Sequence, residues 1–423
     1  MVVYRVGVHL LDRHGSLIAA TSGAFFAVLS SLLSLGYDSA YAEQSGEWFA
    51  QFVTPQWSGS VTVVVAVLTL LGLQARRSAA MIALAGVVGP VVVAVPSFVP
   101  VVAHLAVSVT AIGSGLLLAA CAALASGHRR AQAGLLAGVL GAVLFGQAVR
   151  TYLPFDDGRW MLSIDPNYVD AAIHPLVLVI PAALVAVVAL RTVPSVGEWR
   201  AQDVVVLLAL PFAYLLVYVY IGSSVSTTTM WILAVVLAFG FTLVATRLLD
   251  RRDGNAVLVG FAIAATTVSG LAWSTRSWWV AVVGVLVLMV GVLLGYRTPR
   301  PRLGVCLLAV VTATGSLTGT AWFDAVPTVA YAVLFPAAVG ICIGSCVPVG
   351  IGGSVLGPTV PLSMTLFSVS APRLPPSLYW TDGTDEGYRS PVVAMVSPLF
   401  VAVVVATVVV ILAGVALSPR AHR

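Results

Sequence analysis

The feature that most constrains this chain is its succession of apolar runs, each about twenty residues long, separated by short polar turns. The clearest turn is segment 247–254, which reads Arg-Leu-Leu-Asp-Arg-Arg-Asp-Gly and lies between two such runs. Three arginines and two aspartates this close together are too costly to place in hydrocarbon, so the segment marks a turn at a membrane face. The flanking runs therefore predict membrane-spanning helices.

The composition points the same way, because 60% of the 423 residues are apolar and only 9% are charged. It predicts an all-α polytopic membrane protein rather than a soluble domain. The net charge of +5 is then a matter of membrane topology, and no nucleic-acid partner is expected. The sequence contains no Walker loop, metal-ligand cluster or nucleophile–base pair. We therefore predict a protein that is not an enzyme and that uses no cofactor and no metal.

The hydropathy pattern predicts twelve spanning helices followed by two further C-terminal hydrophobic segments. The predicted spans are 16–36, 58–74, 79–99, 102–126, 133–152, 173–191, 203–221, 229–247, 256–273, 278–296, 303–322 and 328–349, and the two further segments are 351–371 and 391–417. Whether 351–371 spans is left open by Pro358 and Pro361. If both termini are cytoplasmic, sixteen of the 21 basic residues face inward and eleven of the 16 acids face outward. This charge bias predicts a multi-pass protein of a prokaryotic plasma (inner) membrane.

Internal repetition predicts how the spans are grouped. The turn at Arg76-Arg77 recurs at 250–252 and the turn at 128–130 recurs at 297–302, with offsets in residue number of about 175 and about 170, as in a duplicated chain. Arg150 and Asp324 have almost the same offset and place opposite charges at matching helix ends. We therefore expect two parallel, pseudo-symmetric six-helix bundles, 1–200 and 201–350, with 351–423 as additional segments. Secondary transporters commonly have this plan, with the substrate between the halves.

The turn at 249–254 resembles the loop motif of the major facilitator superfamily in its Asp-Arg-x-x-Gly core. The corresponding first-half turn keeps Gly72 and Arg76-Arg77. This resemblance implies alternating access between two bundles and a cytoplasmic latch, which is formed by Arg76, Arg77, Asp250, Arg251 and Arg252. Segment 146–150, Gly-Gln-Ala-Val-Arg, is similar to the antiporter motif of the same superfamily, which makes Gln147 a candidate for coupling.

Other candidate residues for substrate binding or coupling follow from their predicted positions near the outer side. Asp38 and Asp324 lie at outer helix ends and are candidates for gating or for coupling to protons. Arg150 is placed to bind an anionic group, and His104 is a candidate because histidine is the side chain suited to proton transfer at physiological pH. Tyr214 and Tyr218 share one face of the seventh helix, where their rings are placed to stack on a substrate.

These residues leave several functions open. The leading prediction is a secondary transporter in the lipid bilayer that moves or exports an amphipathic or lipid-like small molecule, since fixed charges are few along the predicted spans. One alternative is a polyprenyl-dependent membrane glycosyltransferase that uses outer-loop acids such as Asp38, Glu43 and Glu47. Others are a fourteen-helix flippase for a lipid precursor and a non-catalytic membrane subunit.

Overall fold

The fold is given by a computed structural model. It describes residues 2–33, 55–76, 78–99, 103–152, 175–191, 200–223, 228–269, 278–317, 325–348 and 398–417, together with residues 350 and 355. Within these ranges the chain is helical and contains no strand, which confirms the predicted all-α class for the described residues.

The described helices are numbered here in chain order. They are α1 (Val2–Leu33), α2 (Pro55–Arg76), α3 (Ala79–Ala94), α4 (Ala103–Ala125), α5 (Arg129–Tyr152), α6 (Pro175–Arg191), α7 (Ala201–Ser223), α8 (Thr228–Leu248), α9 (Arg251–Thr266), α10 (Trp278–Arg297), α11 (Pro301–Thr314), α12 (Ala325–Val329, Ala330–Leu334 and Phe335–Ser345) and α13 (Pro398–Ala416). The middle part of α12 is a π-helical turn. Short 3₁₀ turns, Val95–Ser97, Thr267–Ser269 and Gly315–Leu317, extend α3, α9 and α11.

Apolar length makes this a multi-pass membrane protein. Within the described residues, seven helices are long and apolar enough to cross a bilayer. The first twelve predicted spans and the last predicted segment all fall on helices. Segment 351–371 lies outside the described residues apart from Val355, so the exact count of twelve plus two is not confirmed. Large apolar side chains such as Leu190 and Leu293, 65% and 61% exposed, line the lipid-facing surface.

The polar turns determine where the helices begin. Arg300 precedes Pro301 at the first position of α11, where the missing N–H of proline is not needed. Asp250 has extended backbone angles directly before α9, and the Gly254 N–H donates to the carbonyl oxygen of Asp250. The same turns carry exposed arginines, including Arg76 and Arg297. We call this side of the molecule the arginine-rich end.

Glycines allow neighbouring helices to approach backbone to backbone. A Cβ on Gly115 of α4 would lie 2.7 Å from the carbonyl oxygen of Thr62 in α2. A Cβ on Gly291 of α10 would lie 2.7 Å from the carbonyl oxygen of Ala337 in α12. Membrane helices pack through small residues because lipid gives them little hydrophobic drive to associate. The pairs α2–α4 and α10–α12 therefore use the same packing device.

Helix contacts form a pattern that occurs twice. In the first occurrence α4 contacts α1, α2 and α3, and α6 contacts α1 and α3. In the second occurrence α12 contacts α9, α10 and α11, and α13 contacts α9 and α11. Helices α7 and α8 contact each other, and they reach the rest of the molecule chiefly through α2 and α9.

The same correspondence is present in the helix starts. The paired starts are Pro55 and Trp278, Ala79 and Pro301, Ala103 and Ala325, and Pro175 and Pro398, and their residue numbers differ by 222 or 223. The repeat offset between matching described helices is thus longer than the predicted offset of about 175. The predicted division into 1–200, 201–350 and 351–423 stays a prediction.

Candidate functional site

A narrow apolar cleft lies where α5, α9 and α12 meet. Its lining residues are Leu140, Val143 and Leu144 from α5, Ile263, Ala264 and Thr267 from α9 and its 3₁₀ extension, and Phe335 and Val339 from α12. Helices α5 and α9 are enclosed by protein here, since residues 131–143 and 256–268 are buried. No lining residue carries a charge, so the wall of the cleft is uncharged and mostly apolar.

Two departures from α-helical geometry adjoin the cleft. The 3₁₀ turn Thr267–Ser269 continues α9, and the π turn Ala330–Leu334 interrupts α12 immediately before Phe335. Pro336 lacks an N–H and its ring crowds the preceding turn, so a regular α-helix is disfavoured at this point. Such turns inside long helices often mark functional positions.

A buried hydrogen bond joins the two irregular turns. The Tyr331 hydroxyl donates to the Thr266 carbonyl oxygen at 2.9 Å. Thr266 is the last residue of the α-helical part of α9, so its carbonyl lies at the junction with the 3₁₀ extension. The Thr312 hydroxyl of α11 lies 3.2 Å from the Thr266 hydroxyl. This cluster ties α9, α11 and α12 together beside the cleft.

A second group of buried hydroxyls lies between α1, α2 and α4. The hydroxyls of Ser31 and Ser58 are 2.7 Å apart, and the Thr62 hydroxyl donates to the Ala111 carbonyl oxygen at 3.2 Å. Ser114, also buried, has a hydroxyl without a hydrogen-bond partner among the described residues. This cluster joins helices that belong to the first occurrence of the contact pattern.

The arginine-rich end holds two acids in different environments. Asp250 pairs with Arg200 at 3.1 Å, and both side chains are largely exposed, at 69% and 64%. Asp253, in the first turn of α9, is 8% exposed and accepts the Gly350 N–H at 3.2 Å. Asp253 therefore links α9 to the segment that follows α12.

One cation–π contact crosses between α5 and α10 at the same end. The Arg129 guanidinium carbon lies 5.8 Å from the centre of the Tyr296 ring. Deeper in the molecule, a Cβ on Gly141 of α5 would lie 3.8 Å from the Val285 side chain of α10. Helix α5 packs along α1, which belongs to the first occurrence of the contact pattern, and α10 belongs to the second. The α5–α10 contacts are therefore the main junction between the two occurrences.

The predicted latch stays a prediction, and the structure describes four of its five residues. Asp250 is paired with Arg200, a residue outside the predicted set, while Arg76, Arg251 and Arg252 are exposed. Arg77 lies outside the described residues. The prediction did not include Asp253, although its position three residues after Asp250, in a helical first turn, is the pattern of a helix-start carboxylate.

Among the predicted substrate and coupling residues, Tyr214 is the one whose side chain the structure describes. Tyr214 is buried between α7 and α8, where its hydroxyl bonds that of Thr242. His104, Gln147, Arg150 and Tyr218 belong to α4, α5, α5 and α7, but their side chains are not among those described. Asp38 and Asp324, and the outer-loop acids Glu43 and Glu47, lie outside the described residues.

The cleft was not among the features predicted from the sequence. Its lining is made of ordinary apolar residues, and only the π turn distinguishes the region. Pro336 is the sequence signal for that turn, since a proline inside an apolar run disturbs helical hydrogen bonding. Within the described residues no group of three or more His, Cys, Asp or Glu side chains is arranged to hold a metal ion.

Comparisons with known proteins find a likeness to solved structures. No protein-family model matches the sequence, and no curated protein matches it. Among solved structures, the chain is similar to the crystal structure of a variant of the E. coli fucose:proton symporter FucP. The two chains are 15% identical, and the match covers 99% of this chain and 100% of that chain with a TM-score of 0.43.

Proposed function

We propose that this protein is a secondary membrane transporter of the major facilitator type, which moves an amphipathic or lipid-like small molecule by alternating access. The observation that carries the proposal is the contact pattern that occurs twice, with an apolar cleft where the two occurrences meet. Transporters built from two parallel repeats bind their substrate between the repeats and expose it to each side in turn.

The repeat offset supports a division in which α1–α6 form one group and α9–α13 belong to the other, with α7 and α8 inserted between them. We call these the first group and the second group. The sequence contributes an independent match, because Leu144-Phe145 in α5 recurs as Leu366-Phe367, which is the same offset in residue number as that of the paired helix starts. In this division, the predicted segment 351–371 is the counterpart of α5, and α13 is the counterpart of α6.

The lining of the cleft supports an amphipathic substrate. An uncharged, mostly aliphatic wall favours an apolar moiety, and it offers no counter-charge to a strongly charged solute. The arginine-rich end supports placing that side in the cytoplasm of a prokaryotic plasma membrane, by the positive-inside rule.

The test is flux in proteoliposomes under an imposed pH gradient, with ethidium and an NBD-labelled phospholipid as probes. We expect gradient-dependent movement of at least one probe, absent from liposomes without protein. If neither probe moves with either sign of the gradient, the transporter proposal is wrong.

A cross-link tests alternating access directly. In a chain whose four native cysteines are replaced by alanine, Gly141→Cys with Val285→Cys joins α5 to α10 across the two groups. Oxidation should stop flux and reduction should restore it. The matched control is Val305→Cys with Gly414→Cys inside the second group, where a Cβ on Gly414 would lie 3.6 Å from the Val305 Cβ. If flux continues when the α5–α10 cross-link is complete, transport does not require one group to move against the other, and alternating access is contradicted.

A further inference from the structure

We propose that Tyr331 is a positioning residue, which holds the π turn of α12 in place and thereby keeps Phe335 and Val339 in the cleft. The inference rests on the proposed function, because it takes the cleft as the place where the substrate binds. It adds a specific side chain that controls the shape of that site without lining it.

The π turn sets the direction of the side chains that follow it in α12. An α-helix turns by about 100° per residue, so the extra residue accommodated in a π turn rotates every later side chain by about that angle. Phe335 immediately follows the π turn, and Val339 is one helical turn further on. Both line the cleft with the π turn present. If α12 became regular, both side chains would turn away from their present direction.

The Tyr331 side chain holds the π turn against α9. Tyr331 is itself part of the π turn and is 4% exposed. Its hydroxyl donates to the Thr266 carbonyl oxygen, and its ring lies 5.9 Å from the ring of Phe335. The side chain thus fixes the π turn to the end of α9 and contacts the cleft residue directly.

The counterpart of α12 in the first group is α4. Helix α4 is α-helical from Ala103 to Ala125 and contains no π turn. At the offset that relates the paired helix starts, the counterparts of Tyr331 and Pro336 are Val109 and Ser114, which supply neither the phenol nor the proline. The irregular turn therefore belongs to α12 and not to α4, as expected of a feature that serves the substrate rather than the shared packing.

A matched control tyrosine exists elsewhere in the molecule. Tyr214 is 1% exposed and its hydroxyl bonds Thr242, so it resembles Tyr331 in burial and in hydrogen bonding. It joins α7 to α8 and is not among the residues that line the cleft. Tyr214→Phe therefore removes a buried phenol hydroxyl with no expected effect on the cleft.

The experiment measures the labelling rate of a cysteine in the cleft and needs no substrate. Val339→Cys is placed in a full-length chain in which Cys121, Cys342 and Cys346 are alanine, and N-ethylmaleimide is added to the protein in liposomes. Native Cys306, exposed on α11, stays as an internal reference. Tyr331→Phe should change the labelling rate at position 339 by about fivefold, the population shift expected from one lost hydrogen bond. The rate at Cys306 should not change.

Pro336→Ala provides a second route to the same result, because it restores the N–H that a regular helix needs. It should change the rate at position 339 in the same direction as Tyr331→Phe. The inference is overturned if neither variant changes that rate, or if Tyr214→Phe changes it equally. Labelling and flux are separate readouts, so a transport failure with an altered labelling rate contradicts the proposed function alone.

Discussion

The first and second groups share their helix contacts but differ in the helix at the centre of each pattern. Helix α4 is regular along its length and packs through Gly115 against α2. Helix α12 packs in the same way against Gly291 of α10, yet it is interrupted by the π turn beside the cleft. The comparison separates two roles. Close backbone packing is common to both groups, whereas the irregular turn distinguishes α12 from α4.

The groups also differ at the arginine-rich end. In the second group Asp253 accepts the N–H of Gly350, which ties the start of α9 to the segment after α12. The first-group counterpart of Gly350, at the same offset in residue number, is His128, whose ring nitrogen bonds Ser126 in its own turn. A buried carboxylate therefore fastens the second group at a position where the first group has a local contact.

The largest expected effect comes from breaking the packing that the groups share. Gly115→Val and Gly291→Val should each lower the free energy of unfolding by about 3 kcal/mol, because the new side chain meets the carbonyl oxygen of a neighbouring helix. Thermal unfolding followed by tryptophan fluorescence measures the loss. The control is Gly240→Val in α8, where a Cβ meets nothing within 4 Å. Equal stability of the Gly115 and Gly240 variants would show that α2 and α4 are not in close contact.

A smaller effect should separate the two acids of the arginine-rich end. Asp253→Ala should cost about 1–3 kcal/mol, because the Gly350 N–H loses its acceptor in a partly buried place. Asp250→Ala should cost about 0–1 kcal/mol, since its pair with Arg200 is exposed and screened by salt. Chemical unfolding at low and high salt measures both. Asp253→Asn keeps an acceptor oxygen and should recover part of the loss. A larger cost for Asp250→Ala than for Asp253→Ala contradicts the assignment.

The features predicted correctly from the sequence are those that depend on the residues within one segment. Apolar length alone predicted the helices, because a spanning segment must satisfy its backbone internally. The grouping of the helices is harder to predict from the sequence. Arginines are favoured in every turn on the cytoplasmic side, so turns such as 76–77 and 250–252 resemble each other whether or not the chain is duplicated. The predicted offset of about 175 stays a prediction, whereas four pairs of helices with matching contacts begin 222 or 223 residues apart. The cleft could not be predicted, because it depends on how three helices of ordinary apolar residues meet.

The smallest effect should come from the hydroxyl clusters, which differ between the groups in their partners. Thr62 links α2 to α4, and Thr312 links α11 to α9. Replacing Thr312 by valine keeps the shape and removes its bond to Thr266. Replacing Thr62 in the same way removes its bonds to Ala111 and to Ser31. Each lost bond between helices should cost about 0.6 kcal/mol, the average for such bonds in membrane proteins. The control is Thr407→Val in α13, whose hydroxyl donates within its own helix to the Val403 carbonyl oxygen. That bond does not join helices, so its loss should cost less than either of the others. If Thr407→Val destabilises as much as Thr312→Val, the clusters contribute no more to holding the groups together than an ordinary helical hydroxyl does.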